Sequence, residues 1–507
     1  MAISTPAVDR RARYRDNPSV MTVLRNPRML TREALAGLVV ALALIPEAIS
    51  FSIIAGVDPA VGLFSSAVMA MSIAFLGGGP AMITAATGAV ALVIAPIMRD
   101  YGFDYFIATV LLAGLVQVLF GLLGVAKLMR FIPRSVMVGF VNALAILIFM
   151  AQIPQLVDVP WLVYPLVVVG LVILVLMPRI TKVVPAPLFA IILITGVVLA
   201  FGWSVPNVGD QGELPTSLPA LFFPDVPLSL ETLGIIGPTA IAMALVGLME
   251  SLMTAKLVDD ITDTHSDKTR ESWAQGVANV LSGLFGGMGG CAMIGQTMIN
   301  VKASGARSRV STFLAGAFLL VLIVALGEIV GLIPMAALVA VMIMVSVGTF
   351  DWHSITPATL KRMPVSETLV MVVTVTVVVI THNLAIGVIV GVIAAMVAFA
   401  RRVAHFASVT REVRDSKGGS AAQYAVEGEL FFASSNDLTT QFEYTDDPDH
   451  VVIDLSRSHI WDASTVAALD AIETKYERLG KRVELRGLNA ASVSMRDRMT
   501  GQLGGEG

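Results

Sequence analysis

The sequence is short of charge and almost without cysteine. Asp, Glu, Lys and Arg make up 14% of its 507 residues and hydrophobic types 56%, whereas a soluble domain is about a quarter charged. Soluble domains of this total length need more polar surface than that, so much of the surface must face lipid. The single cysteine, Cys291, excludes a disulfide framework. A net charge of −4, with no basic run beyond the first 32 residues, argues against a nucleic-acid partner. No G-x-x-x-x-G-K-[ST] loop, metal-ligand cluster or nucleophile constellation occurs either, so ATP hydrolysis and enzyme catalysis have no site.

The charges that are present are unevenly placed. Arg10, Arg11, Arg13, Arg15, Arg25, Arg28 and Arg32 crowd residues 1–32. This reads as a retained cytoplasmic arm, because the apolar run after it is too long for a signal peptide and lacks a small-residue cleavage site. Residues 33–405 are an apolar body, and residues 420–507 have ordinary soluble composition. A span takes about 20 apolar residues. On that measure the body holds twelve full spans, centred on residues 44, 68, 114, 141, 169, 193, 246, 278, 318, 340, 373 and 394, and two short segments beginning near Ala81 and Cys291. Lys and Arg collect on the cytoplasmic side of short loops. With fourteen crossings and both termini inside, Lys127, Arg130, Arg134, Arg179, Lys182, Lys256, Lys268, Arg270, Lys302, Arg307, Arg309, Lys361 and Arg362 all fall inside and only Arg99 outside. The loop over 202–234, which has no Lys or Arg, falls outside. The expected location is a bacterial inner membrane, crossed many times.

Ahead of the first short segment the chain reads FLGGGPAMIT over Phe75–Thr84, and ahead of the second LFGGMGGCAMIG over Leu284–Gly295. The 211 residues between Ala81 and Ala292 match the offset of two seven-span halves. An odd number of crossings per half inverts one against the other, as in many transporters. Glycine runs also mark close helix packing, but here each precedes a segment too short to span. Each segment therefore reads as a half-helix starting near mid-membrane with unpaired N–H groups. Two such ends, each with about +0.5 charge, suit an anion, with hydroxyls from Thr84, Thr87 and Thr297.

Two carboxyl groups interrupt apolar spans: Glu47, four residues before Phe51, and Glu250, four before Thr254. Inside a span an ionisable group costs about 2.5–3.5 kcal/mol on insertion scales and normally faces a cavity or a partner. Each is a functional candidate, with a structural, hydrogen-bonded acid as the competing reading. Carrying a proton, such a group supports H⁺ and anion symport; ionised, Glu250 with Thr254 could hold Na⁺. His265 and His382 fall in loops, and Gly387 with Gly391 is a packing pair.

The stretches Ala36–Phe51 (AGLVVALALIPEAISF) and Ala55–Ser66 (AGVDPAVGLFSS) resemble the sulfate-permease signature of the solute carrier 26 anion transporters. That resemblance implies two inverted seven-span repeats with short third and tenth segments, an all-α membrane domain, and a small α/β cytoplasmic STAS domain. It implies an anion held between the short helices by Glu47 and Phe51, by Thr84, Ala85, Ala86, Thr87 and Gly88, and by Cys291, Ala292, Met293, Ile294 and Gly295, with Glu250 and Thr254 for coupling. It also implies a homodimer, an elevator motion of spans 1–4 and 8–11, and substrates such as sulfate, bicarbonate or a dicarboxylate like fumarate. Many members have Arg where this chain has Gln296, so simple exchange is disfavoured and Glu250 favours H⁺ symport; Na⁺-coupled bicarbonate symport, a nucleobase permease of related fold and a channel are the alternatives. No cofactor beyond the coupling ion is expected. In the tail, strands Tyr424–Phe432, Val451–Ser456 and Val483–Leu488 and helices over 464–479 and after Asn489 are predicted. Ser464, in an Asp-x-Ser loop like the phosphorylated one of anti-sigma antagonists, is read as a helix N-cap. The domain is read as a place for folding, dimerisation or a regulatory partner.

Overall fold

The computed structural model describes residues 18–125, 127, 132–180, 185–212, 214, 217–227, 229–404, 408–416, 419–432, 434 and 438–500. Of the sequence assignments, those on Arg10, Arg11, Arg13, Arg15, Arg130 and Lys182 lie outside them. The chain divides after residue 392 into two compact units.

The first half of the membrane domain is α1 (Pro27–Ala55), α2 (Pro59–Leu76), α3 (Gly88–Tyr101), α4 (Phe103–Leu122), α5 (Arg134–Met150), α6 (Val163–Ile180) and α7 (Ala186–Phe201). The second half is α8 (Leu230–Thr262), α9 (Lys268–Leu284), α10 (Ile294–Met298, prolonged by a π turn over Ile299–Ala303), α11 (Arg309–Gly331), α12 (Met335–Thr349), α13 (Val365–Thr381) and α14 (Leu384–Ala404). All fourteen expected segments are present. Five of the twelve expected full spans are nevertheless short: α5, α7, α9, α12 and α13 have 17, 16, 17, 15 and 17 residues. Pro185, Pro334 and Pro364 cap the starts of α7, α12 and α13, trimming apolar runs that composition alone counts as span.

Packing repeats when the halves are exchanged. α4 lies on α9 and α8, and its counterpart α11 lies on α2 and α1; α5 packs on α13, and α12 on α6. The pairs α2–α9 and α5–α12 map onto themselves. Helices α1–α4 and α8–α11 thus interlock as one bundle, with α5–α7, α12 and α13 gathered beside it. The glycine pair on α14 belongs to the second group: a Cβ at Gly387 would stand 2.0 Å from Val378 Cγ2, and one at Gly391 2.2 Å from Thr374 Oγ1, so α14 can reach α13 only without side chains there.

The second unit carries a four-stranded sheet. β3 (Ser408–Ser416) pairs antiparallel with β4 (Gly419–Leu430), which runs parallel to β5 (His450–Ile460), itself parallel to β6 (Arg482–Arg486). β3 has no counterpart among the strands read from sequence. The helices are α15 (Ala463–Arg478) and α16 (Ala490–Met499), and the core gathers Tyr424, Ile453, Leu455, Leu469 and Tyr476. Buried Asp447 accepts hydrogen bonds from Arg411 Nε at 2.8 Å, Tyr424 Oη at 2.7 Å and Tyr476 Oη at 2.5 Å. Ser464 is not the N-cap. Asp462 takes that place, accepting from Thr465 N at 3.1 Å, and Ser464 is exposed in the first turn; the carboxylate two residues earlier occupies the capping geometry first.

Candidate functional site

Each short segment enters as extended chain and becomes helical late. Helix begins at Gly88 and Ile294, not near Ala81 and Cys291. Before them, β1 (Thr84–Ala85) and β2 (Cys291–Ala292) pair antiparallel across the two halves, Thr84 opposite Ala292 and Ala85 opposite Cys291. Buried backbone with no water must find partners, and each extended run finds them in the other and in serines of α2 and α8. Met293 N donates to Ile83 O at 2.9 Å, Ala86 N to Ser66 Oγ at 3.1 Å and Ala292 N to Ser251 Oγ at 3.0 Å. The crossing is close: a Cβ at Gly290 would lie 1.9 Å from Ala85 O. Ala81 turns into it at φ 61°, a left-handed conformation held by Asn300 Nδ2 on its carbonyl at 2.8 Å.

The crossing brings the start of α3 against β2, which leads into α10, with Thr87 Oγ1 3.2 Å from Cys291 Sγ. Thr87 caps α3 by accepting from Val90 N at 3.4 Å. Among the described residues, the amides of Gly88 and Ala89, and of Ile294, Gly295 and Gln296, have no backbone or side-chain acceptor. These are the first-turn donors that an anion can take.

The predicted residues separate into two clusters. Glu250, Cys291 and Thr87 form a chain: Cys291 Sγ donates to Glu250 Oε2 at 2.9 Å, and Thr87 Oγ1 lies 3.2 Å from the sulfur. Thr254 Oγ1 bonds Glu250 O at 2.8 Å and Ala292 O at 3.1 Å, tying α8 to β2. The second cluster is Glu47 with Gln296, whose Nε2 donates to Glu47 Oε1 at 2.8 Å. Phe51 packs its ring on α3, 2.9 Å from where a Gly88 Cβ would stand. Met293 is buried, Ile294 half-buried and Gly295 exposed, with nothing within 4 Å of an added Cβ.

Two predicted hydroxyls are committed elsewhere. Thr84 Oγ1 accepts from Gln275 Nε2 at 2.8 Å, and Thr297 Oγ1 from Ile83 N at 3.0 Å; in an extended run alternate side chains point to opposite faces, so Thr84 turns to α9. Sequence reasoning passed over the polar face of α9. Glu271 accepts from Gly78 N at 2.6 Å and Gly79 N at 3.2 Å, and Gln275 Nε2 reaches Glu271 Oε1 at 2.8 Å. Asn279 bonds Gln117 at 2.7 Å and Gly290 N at 2.8 Å. Residues 271, 275 and 279 recur every four positions, the spacing of one helix face.

A cleft of about 790 Å³ between α5 and α8 runs from Arg134, Lys256, Asp260, Lys268 and Asp351 to Ile294. A smaller cavity of about 290 Å³ adjoins Ser50, Leu92, Gln152 and Leu338.

Several known proteins are similar to this chain and fit that architecture. The sulfate permease family matches residues 30–163 and 155–374, and the STAS domain matches 414–499. "Putative sulfate transporter YbaR" of Bacillus subtilis (strain 168) is 52% identical over 93% of this chain and 97% of its own length. The transmembrane domain of a cyanobacterium bicarbonate transporter, BicA, superposes with a TM-score of 0.63 at 26% identity, covering 73% of this chain and 98% of that one. Murine Solute Carrier 26 family member A9, an anion transporter in the inward-facing state, shares the fold with a TM-score of 0.78 at 17% identity over 96% of this chain and 88% of that one. With a multi-pass membrane domain followed by a STAS domain, the chain belongs to the sulfate permease family, whose members are anion transporters and not enzymes.

Proposed function

We propose that the protein is an H⁺-coupled symporter of a small anion, of the class of sulfate, bicarbonate or a dicarboxylate such as fumarate, working by alternating access in a bacterial inner membrane with both termini cytoplasmic. The observation that carries it is the chain Glu250–Cys291–Thr87 lying against the start of α3. An anion seated on first-turn amides and a carboxylate beside it repel. The two share the site when the carboxyl holds a proton. The thiol and hydroxyl can follow that change: Thr87 and Cys291 donate toward an ionised Glu250, and the direction of both bonds reverses when Glu250 becomes the donor.

The cleft to Ile294 supports an orientation open to the cytoplasm, since its rim holds Arg134, Lys256 and Lys268. Arg270 and Arg309 cluster at the same end, donating to Phe75 O, Leu76 O, Ala74 O and Gly77 O at the end of α2. Closing this cleft while the smaller cavity opens would move the bundle α1–α4 with α8–α11 against the remainder. Na⁺-coupled bicarbonate transport is the second reading. It is favoured by the backbone carbonyl oxygens of Glu250 and Ala292 gathered around the Thr254 hydroxyl, a set of hard oxygen ligands.

The test is uptake of labelled sulfate, bicarbonate and fumarate into proteoliposomes under an imposed proton gradient or an imposed Na⁺ gradient. Accumulation driven by the proton gradient alone supports the first reading. Accumulation driven by Na⁺ alone replaces it with the second, and transport indifferent to both gradients overturns symport.

A further inference from the structure

The arginine-rich start of the chain has no part in the site described above, and its described portion carries a surface of its own. A short helix, Val20–Arg25, precedes α1, with Asn26 closing the one and capping the other. It packs on α1 and α11. Val23 is fully buried, whereas Val20, Met21 and Leu24 are 41, 58 and 52% exposed. A lone exposed apolar side chain needs no explanation. Three on a six-residue helix, one residue away from a membrane span, are favoured there by lipid.

The exposed charges beside them have one sign. Arg28, Arg32 and Leu35 are exposed on α1 at four- and three-residue spacing, which stacks them on one face. That face therefore passes from guanidinium to hydrocarbon between Arg32 and Leu35. Arg25 ends the short helix, and Lys302 is exposed on the π turn that packs on α1. The acids of α1, α11 and the π turn are Glu33, Glu47 and Glu328. Glu33 is fully buried, accepting from Arg307 N at 2.8 Å and the Ser308 hydroxyl at 2.8 Å, with Arg32 Nη2 at 4.0 Å. The other two stand about five turns into their helices. With 29 residues, α1 is about 43 Å long, against about 30 Å of hydrocarbon. Apart from Glu47 its charged residues all lie between Pro27 and Glu33, so the surplus length stands in the headgroup layer at this end.

We propose that the short helix and the start of α1 form a binding surface for acidic phospholipid: Arg25, Arg28, Arg32 and Lys302 take the headgroup phosphates, and Val20, Met21 and Leu24 enter the acyl boundary. Basic residues clustered beside a span are drawn to anionic headgroups, and the apolar side chains select a lipid over free phosphate. Further along, α1 carries Glu47 and Phe51. A helix longer than the hydrocarbon is not fixed in depth by its own length, so interfacial anchors set where it stands, and with it where those two residues stand. The surface needs neither the symport reading nor a coupling ion.

The test is the thermal midpoint of the full-length protein in a neutral detergent, titrated separately with phosphatidylglycerol, phosphatidylcholine and glycerol 1-phosphate. Phosphatidylglycerol should raise the midpoint saturably, and less at high salt; the other two should leave it in place. Arg25→Gln combined with Arg28→Gln should raise the half-saturating phosphatidylglycerol concentration about 25-fold, at about fivefold for each arginine near an anionic surface. If that pair does not fold, Arg28→Gln alone carries the question, with about fivefold expected. Met21→Gln combined with Leu24→Gln keeps every charge and should weaken the lipid several-fold. Lys361→Gln combined with Arg362→Gln removes two exposed charges from another helix, Pro357–Arg362, and should titrate like the parent. The proposal is overturned by an equal response to phosphatidylcholine, by glycerol 1-phosphate acting as well as the lipid, by parent-like titration of the arginine variants, or by an equal loss in the Lys361 and Arg362 pair.

Discussion

Glu250 touches a thiol with one oxygen, while the backbone at its position is tied through Thr254 to β2. Replacing the carboxyl by an amide keeps its size and removes its exchangeable charge. Glu250→Gln should therefore leave the protein folded by size exclusion and abolish proton-driven accumulation; coupled uptake at the parent level removes Glu250 from the mechanism. In the STAS unit Asp447 is the corresponding single point of failure, because two phenols and a guanidinium converge on it. Asp447→Ala should cost about 3 kcal/mol and lower the thermal midpoint of that unit, since buried donors are left unpaired. Burial first, and then the bond to Asp447, holds the Tyr476 hydroxyl well above its usual range. An acid raised in the folded state contributes stability that is intact below its unfolded pKa of about 10 and is lost as pH rises beyond it. Tyrosinate absorbance should therefore appear together with unfolding of this unit at strongly alkaline pH, and ionisation of a still-folded domain would contradict the burial.

At the level of elements, the β1–β2 crossing and the polar face of α9 decide whether the site assembles. Gly290→Ala would put a methyl 1.9 Å from Ala85 O, so loss of both substrate binding and thermal stability is expected. Gly295→Ala meets nothing within 4 Å; it should keep its stability and lose affinity, and equal melting losses in the two variants would refute the distinction. Much of this was legible beforehand. The repeated glycine runs and the acid inside each first span point to Glu47, Glu250, Thr87 and Cys291, which the fold gathers around the two short segments, because charge and broken helix are costly in lipid and stand out from an apolar background. The strand pairing was not legible, since two residues per strand leave no alternation to read. Thr84 was accordingly aimed into the site when it faces Gln275. The stripe Glu271, Gln275 and Asn279 did carry a signal in its fourfold spacing, but a span counted by apolar content hides it.

Across the whole membrane domain, the arrangement of helices follows from the exchange of halves, and the charges follow from the two ends of the bundle. The cleft reaching Ile294 is lined by Arg134 and Lys256 together with Asp260 and Asp351, while Lys268 is paired with Asp259, so attraction of anions there rests on Arg134 and Lys256 and weakens with salt. Lys256→Glu should slow anion entry from that side several-fold at low ionic strength, with the difference shrinking at high salt; a salt-independent loss would assign Lys256 to packing instead. One further consequence lies in Cys291, the only cysteine in the chain, placed where the two halves cross. A membrane-impermeant maleimide has a single target in this protein, so no other thiol need be engineered away. The thiol is fully buried in this conformation, so labelling from either side would first require the crossing to open, and its rate would make the native residue a clock for that opening.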